Sequence, residues 1–104
     1  VYTAKVEANA LTPWTLLPAR LGTPRFDAAV VACGGSLFVI AGGTGRSSGP
    51  ISNSNLVEAA PLEGNRPVSF RPNPPLGLDV LRASATCADR TVYVVGGSLN
   101  AQRH

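Results

Sequence analysis

Residues 57–65 repeat residues 1–9. Val1, Ala4, Glu7 and Asn9 recur 56 positions later as Val57, Ala60, Glu63 and Asn65, with Val6 matched by Leu62 and Trp14 by Phe70. A second block, Cys33 to Gly43, is matched by Cys87 to Gly97 at an offset of 54, the cysteine and both glycines included. Self-similarity at a spacing of about 50 residues marks a body built from stacked units, each burying its faces against its neighbours. A chain of 104 residues has room for two such units, so the single small core that its length would otherwise suggest is the wrong picture.

The local pattern makes the unit a β structure. Leu37–Ala41 and Thr91–Val95 are short β-branched and aromatic runs ended by Gly-Gly, which predicts strands buried on both faces. Upstream of each lies a second run, Asp27 to Cys33 and Ala83 to Cys87, joined to it by a Gly-Gly-Ser or Ala-Asp-Arg turn short enough for a hairpin. A polar stretch, Thr44 to Asn55, then leads to strands near Leu56–Leu62 and Pro67–Arg71, giving four strands per unit. Eleven glycines and nine prolines against only nine basic and six acidic residues also argue against a helical bundle.

This order resembles the kelch repeat. The residues that carry the likeness are Trp14, Pro18, Arg25, Phe38, Gly42 and Gly43 in one pass, and Phe70, Pro75, Arg82, Tyr93, Gly96 and Gly97 in the next. The resemblance implies an all-β fold of kelch-type β-propeller blades, each of four antiparallel strands. It divides the chain into the third and fourth strands of one blade (1–24), a complete blade (25–71) and the first two strands of the next (72–104). Ala41 adds one residue between Phe38-Val39-Ile40 and its glycines, and a bulge or a shifted register must absorb it. Two blade equivalents leave apolar faces and strand edges uncovered, so the propeller is partial or completed by other chains. The absence of methionine and a start at Val1 carry the same expectation.

Each recurring position has a structural reading. The glycine pairs lack the following helix and the Gly-Lys-Ser/Thr ending of a phosphate loop, so Gly42, Gly43, Gly96 and Gly97 are expected to turn the chain and admit a neighbouring blade. Trp14 and Phe70 are expected to fill the gaps between blades. Cys33 and Cys87, lying at equivalent places in apolar runs, are expected to be free, buried and inert. Arg25 and Arg82 either line a central channel or top face, where they could bind an anion, or tie loops together by hydrogen bonds. In the polar loop, Arg46, Ser47, Asn53 and Asn55 are candidates for partner contacts, and a solvated loop is the equal alternative.

The chemistry for catalysis is thin. The six acidic residues show no spacing that pairs them, the one histidine is His104, and no triad, metal cluster or nucleophile elbow can be assembled. Copper ligands of the kind some kelch-like oxidases use are not available, and no cofactor is expected. The net charge of +3 is spread without a run or aromatic interleaving, which excludes a nucleic-acid surface, and the apolar runs are too short for a membrane span. There is no signal to fix a compartment. The leading expectation is a non-catalytic binding or scaffolding module, part of a larger propeller or multi-chain assembly, whose partners are proteins or the remaining blades. The alternatives are a homo-oligomer in which the split strands complete a neighbour's blade, three copies giving six blades, or part of a carbohydrate-binding or carbohydrate-active propeller.

Overall fold

A computed structural model describes residues 1–45, 51–64 and 66–98. Among these, every regular element is a strand. The chain opens with a hairpin in which β1 (Tyr2–Thr3) and β2 (Val6–Glu7) return as β3 (Ala10–Leu11) and β4 (Thr15–Leu16). Ala8 and Asn9 form its turn, both at positive φ, 51° and 67°. Such a two-residue turn has the twist that matches flanking strands. The second hairpin, β5 (Ala29–Cys33) and β6 (Ser36–Ile40), turns in the same way on Gly34 and Gly35.

Inside the stretch expected to be a polar loop, β7 (Gly43–Gly45) pairs with β8 (Ile51–Asn53). The chain then continues through β9 (Val57–Glu63), β10 (Arg66–Pro67) and β11 (Arg71–Asn73). The last hairpin, β12 (Ser84–Ala88) and β13 (Thr91–Val95), turns on Asp89 and Arg90. The fourth strand, expected as one run over Pro67–Arg71, is split, because the segment between β10 and β11 leaves the ladder. Strands β5, β6, β9 and β11 form an antiparallel meander, with β10 pairing antiparallel to the far end of β9, and the sheet curls like half a barrel.

The 56-residue spacing is reproduced in strand register. In the first hairpin Tyr2 pairs with Leu16, Thr3 with Thr15, Val6 with Leu11 and Glu7 with Ala10. Moved on by 56, these become Glu58 with Pro72, Ala59 with Arg71, Leu62 with Pro67 and Glu63 with Arg66, all of which are pairs that β9 makes with β11 and β10. The opening hairpin therefore has the geometry of the last two strands of the central sheet, without the first two.

The 54-residue spacing is not reproduced. The bridge between Phe26 and Gly43 has its counterpart in the bridge between Leu81 and Ser98, 55 residues on. Asp27 and Arg82 share positive φ, 54° and 61°, as do Ala41 and Gly96, 57° and 79°, and Gly42 and Gly97, 96° and 98°, again 55 apart. In conformation Gly42 thus corresponds to Gly97, Ala41 to Gly96, and Ala32 to Cys87. At this correspondence Ala41 is not an extra residue and needs neither a bulge nor a shifted register; the one-residue offset belongs to the cysteines, since Cys33 pairs with Ser36 beside its turn while Cys87 pairs with Val92, one pair further from its own.

Close approach falls on one glycine of the second pair. A Cβ on Gly97 would meet Val80 Cγ1 and the Leu81 carbonyl, and one on Gly42 would meet the Phe26 carbonyl at 2.7 Å. Gly43 sits against the Phe26 ring, whereas Gly96 has open space around it. Gly97→Ala should therefore cost about 3 kcal/mol, combining left-handed strain with overpacking. Gly96→Ala should cost about 1 kcal/mol, because only the backbone term remains. Urea midpoints of the two variants check this, and equal losses would count against it.

The core lies between the central sheet and the β12–β13 hairpin. Ala29, Ile40, Ala41 and Val80 are buried there, and Val31, Phe38, Val57, Leu76, Ala83, Ala85, Val92 and Val94 pack around them. The opposite face of β13 carries Tyr93 and Val95 and is exposed, because no described element packs on it. The expectation that this strand is buried on both faces is corrected accordingly. Trp14 is likewise 62% exposed and fills no gap. The accessible surface of 7195 Å² exceeds the roughly 5500 Å² expected of a folded monomer of this size.

Candidate interaction surface

Of the residues singled out from the sequence, Arg25, Gly42, Asn53 and Asn55 meet in a cluster of loops at one end of the central sheet. Backbone bonds knit this cluster. The Ala41 N–H donates to the Leu56 carbonyl, Gly42 to Val80, Ser54 to Gly42, and Val80 to Ser54. Asn53 donates from its amide to the Ser98 carbonyl at 2.9 Å, and Asn55 to the Leu76 carbonyl at 3.1 Å. Leu76 N–H returns a bond to the Asn55 carbonyl. These two side chains face inward and cross-link segments distant in sequence. Arg46 and Ser47 lie outside the described residues.

Arg25 and Arg82 have opposite environments. The Arg25 side chain is wholly buried and paired with Glu58, Nη2 to Oε2 at 2.8 Å. Its remaining N–H groups donate to the carbonyls of Leu56 at 2.7 Å, Ala41 at 3.0 Å and Thr23 at 3.3 Å. Glu58 also accepts the backbone N–H groups of Gly22 and Thr23. A planar fork with five donors suits this role, because it satisfies several acceptors from one buried point. The guanidinium is spent on loop carbonyls and one carboxylate, so it presents no charge to a channel or a top face. Arg82 is largely exposed and makes a 3.2 Å ion pair with Asp27, a contact of the kind worth little in water.

The cysteines are bonded to each other. Cys33 and Cys87 form a disulfide with their Cα atoms 5.5 Å apart, within the ordinary range for such a bridge. The expectation of two inert thiols at equivalent sites is therefore wrong, and the register gives the reason. Side chains alternate along a strand, so residues at equivalent positions in stacked sheets point the same way. Cys33 points with Ala29 and Val31 toward β12, whereas Cys87 points with Ala83 and Ala85 back toward β5. The one-residue shift places the two sulfurs on facing surfaces.

Phe70 is partly buried and lines an open recess beside Glu58, together with Leu56, Pro72 and Pro75. A second, apolar groove runs between Phe38, Ile40 and Val57 on one side and Val92 and Val94 on the other. Among the described residues no group of three or more His, Cys, Asp or Glu side chains gathers, and no helix is long and apolar enough to cross a membrane. Glu58 and Asp27 are the polar partners that sequence reasoning missed. Glu58 carries a signal in the sequence, an acid inside the otherwise apolar run Val57–Leu62, whereas Asp27 has none. No protein-family model matches this chain, and no curated protein matches it.

Proposed function

We propose that this chain is a segment of a kelch-like propeller that works as a non-catalytic binding or scaffolding module through protein–protein contacts. One observation carries the reading. A four-stranded antiparallel meander is preceded in the chain by a hairpin with the register of its last two strands and followed by a hairpin corresponding to its first two. The loop cluster adds support, since the polar side chains of Arg25, Asn53 and Asn55 stiffen it into a platform of the kind on which partner-binding loops are carried. Propellers escape the edge-strand problem by radial repetition. Small-angle scattering from the assembled protein should therefore show a disc with a central hole. A filled, compact particle or a two-layer sandwich would overturn the reading.

A further inference from the structure

The geometry points to a binding site for a tetrahedral oxyanion, the phosphate or sulfate group of a small molecule, in the recess between the opening hairpin and β10. The recess has a volume of about 530 Å³, and its polar lining is Thr3, Lys5, Thr12 and Thr15 of the hairpin with Arg66 of β10 facing them. Among the described residues no acidic side chain lines it. The two ion pairs among those residues are Arg25 with Glu58 and Arg82 with Asp27, so Lys5 and Arg66 are both unpaired, although Glu63 is the ladder partner of Arg66. Two like charges on one concave surface raise its potential and draw in an anion.

The hairpin's own pairing builds the wall. Thr3 and Thr15 are cross-strand partners, so their side chains stand on one face. Beyond that pair the Thr12 N–H donates to the Lys5 carbonyl at 2.7 Å, and the Lys5 N–H donates to Thr12 Oγ1 at 2.8 Å. The hydroxyl oxygen accepts in this bond, which leaves its own O–H to donate to a ligand. The fold does not need these side chains. The equivalent bond 56 residues on runs from the Val68 N–H to the Pro61 carbonyl at 3.0 Å, and Ala59, Pro61 and Val68 stand there in place of Thr3, Lys5 and Thr12. Three residues without a polar side chain therefore make the same pairing, and the charge and hydroxyls of the first copy are left for a ligand. Ammonium, guanidinium and hydroxyl donors converging on one point suit an oxyanion. The volume lies in the range of small-molecule sites, well above what a bare ion fills, and two cations match one charged group rather than an extended polyanion.

This site goes beyond the proposed function and does not depend on the propeller reading. Titration calorimetry of the chain with a hexose phosphate, a hexose sulfate, inorganic phosphate and the uncharged hexose tests it. At least one ester should bind, with affinity reduced about tenfold in Lys5→Gln and in Arg66→Gln and lost in the double variant, the scale of a hydrogen bond to a charged group. Thr12→Val, which carries the residue of the counterpart position, should weaken binding while leaving the urea midpoint unchanged. Arg90→Gln removes an exposed cation outside the recess and should bind as the wild type does. Equal affinity for inorganic phosphate would uphold the site and make the free ion its occupant. No binding of any of the anions, equal binding of the uncharged sugar, or the same loss in Arg90→Gln as in the recess variants would overturn it.

Discussion

Removing the Cys33–Cys87 disulfide should lower the stability of the fold by about 4 kcal/mol, the chain-entropy cost released when a loop of this length is no longer closed. The two residues are 54 apart in sequence and join β5 to β12, which share no ladder hydrogen bond. On the two bridged strands the core residues are small, Ala29 and Val31 on β5 and Ala85 on β12, while the larger Phe38, Ile40, Val92 and Val94 of the same core lie on β6 and β13. Small side chains bury little apolar area each, so the covalent link adds substantially to the attachment along β5 and β12. The Cys33→Ala/Cys87→Ala double variant and the reduced wild type should unfold at the same, lower denaturant concentration. A shift below about 1 kcal/mol would show that the hairpin docks without the bond. A sharper check moves one sulfur by one position. In Cys87→Ala/Ala88→Cys the new thiol occupies the place equivalent to Cys33 and faces away from β5, so it should stay titratable by a thiol reagent. Formation of a bridge between Cys33 and the relocated thiol would refute the 55-residue correspondence.

That correspondence also shows where sequence reasoning reached and where it stopped. The strands around Gly34–Gly35 and Asp89–Arg90 were legible because β-branched runs bracket short turns, and the opening hairpin because four identities recur at one offset. The second offset was misjudged by one residue. Identical letters, Cys with Cys and Gly-Gly with Gly-Gly, drew the alignment to 54, whereas the backbone requires left-handed φ at Ala41, a residue whose type does not announce it. Each cysteine's distance from its turn, none for Cys33 and one residue for Cys87, decides which face it occupies, and hence that they bond. Similarly, nothing in the spacing of Asn53 and Asn55 tells an outward amide from an inward one. The bridge between Ser54 and Val80 brings the partner segment under them, a contact between residues far apart in sequence. Trp14 is exposed, and its match to Phe70 in the repeat gave no sign of it, since Phe70 is partly buried beside Glu58.

Arg25→Met should destabilise the fold by about 3–5 kcal/mol, the range for breaking a buried ion pair from one side. The substitution leaves Glu58 charged and buried with only two backbone donors, and it takes the guanidinium donors from the carbonyls of Ala41, Thr23 and Leu56, the last of which keeps the Ala41 N–H. Arg25→Lys keeps the charge but loses the planar fork, so it should recover only part of the loss. The pair is not simply additive. Replacing both partners by apolar residues, Arg25→Met with Glu58→Leu, removes the uncompensated charge and should cost clearly less than the sum of the two single changes. Denaturant unfolding of the four species closes the cycle. A single Arg25→Met variant within about 1 kcal/mol of wild type would mean that water reaches Glu58 and that the junction is looser than its geometry. The outcome bears on function, because this junction fixes the segment at Gly22 to Arg25 against β9 and so sets the entry of the chain into the loop cluster. If partners bind on those loops, Arg25→Met should weaken binding at temperatures where the sheet itself is still folded, and circular dichroism measured beside the binding titration separates the two losses.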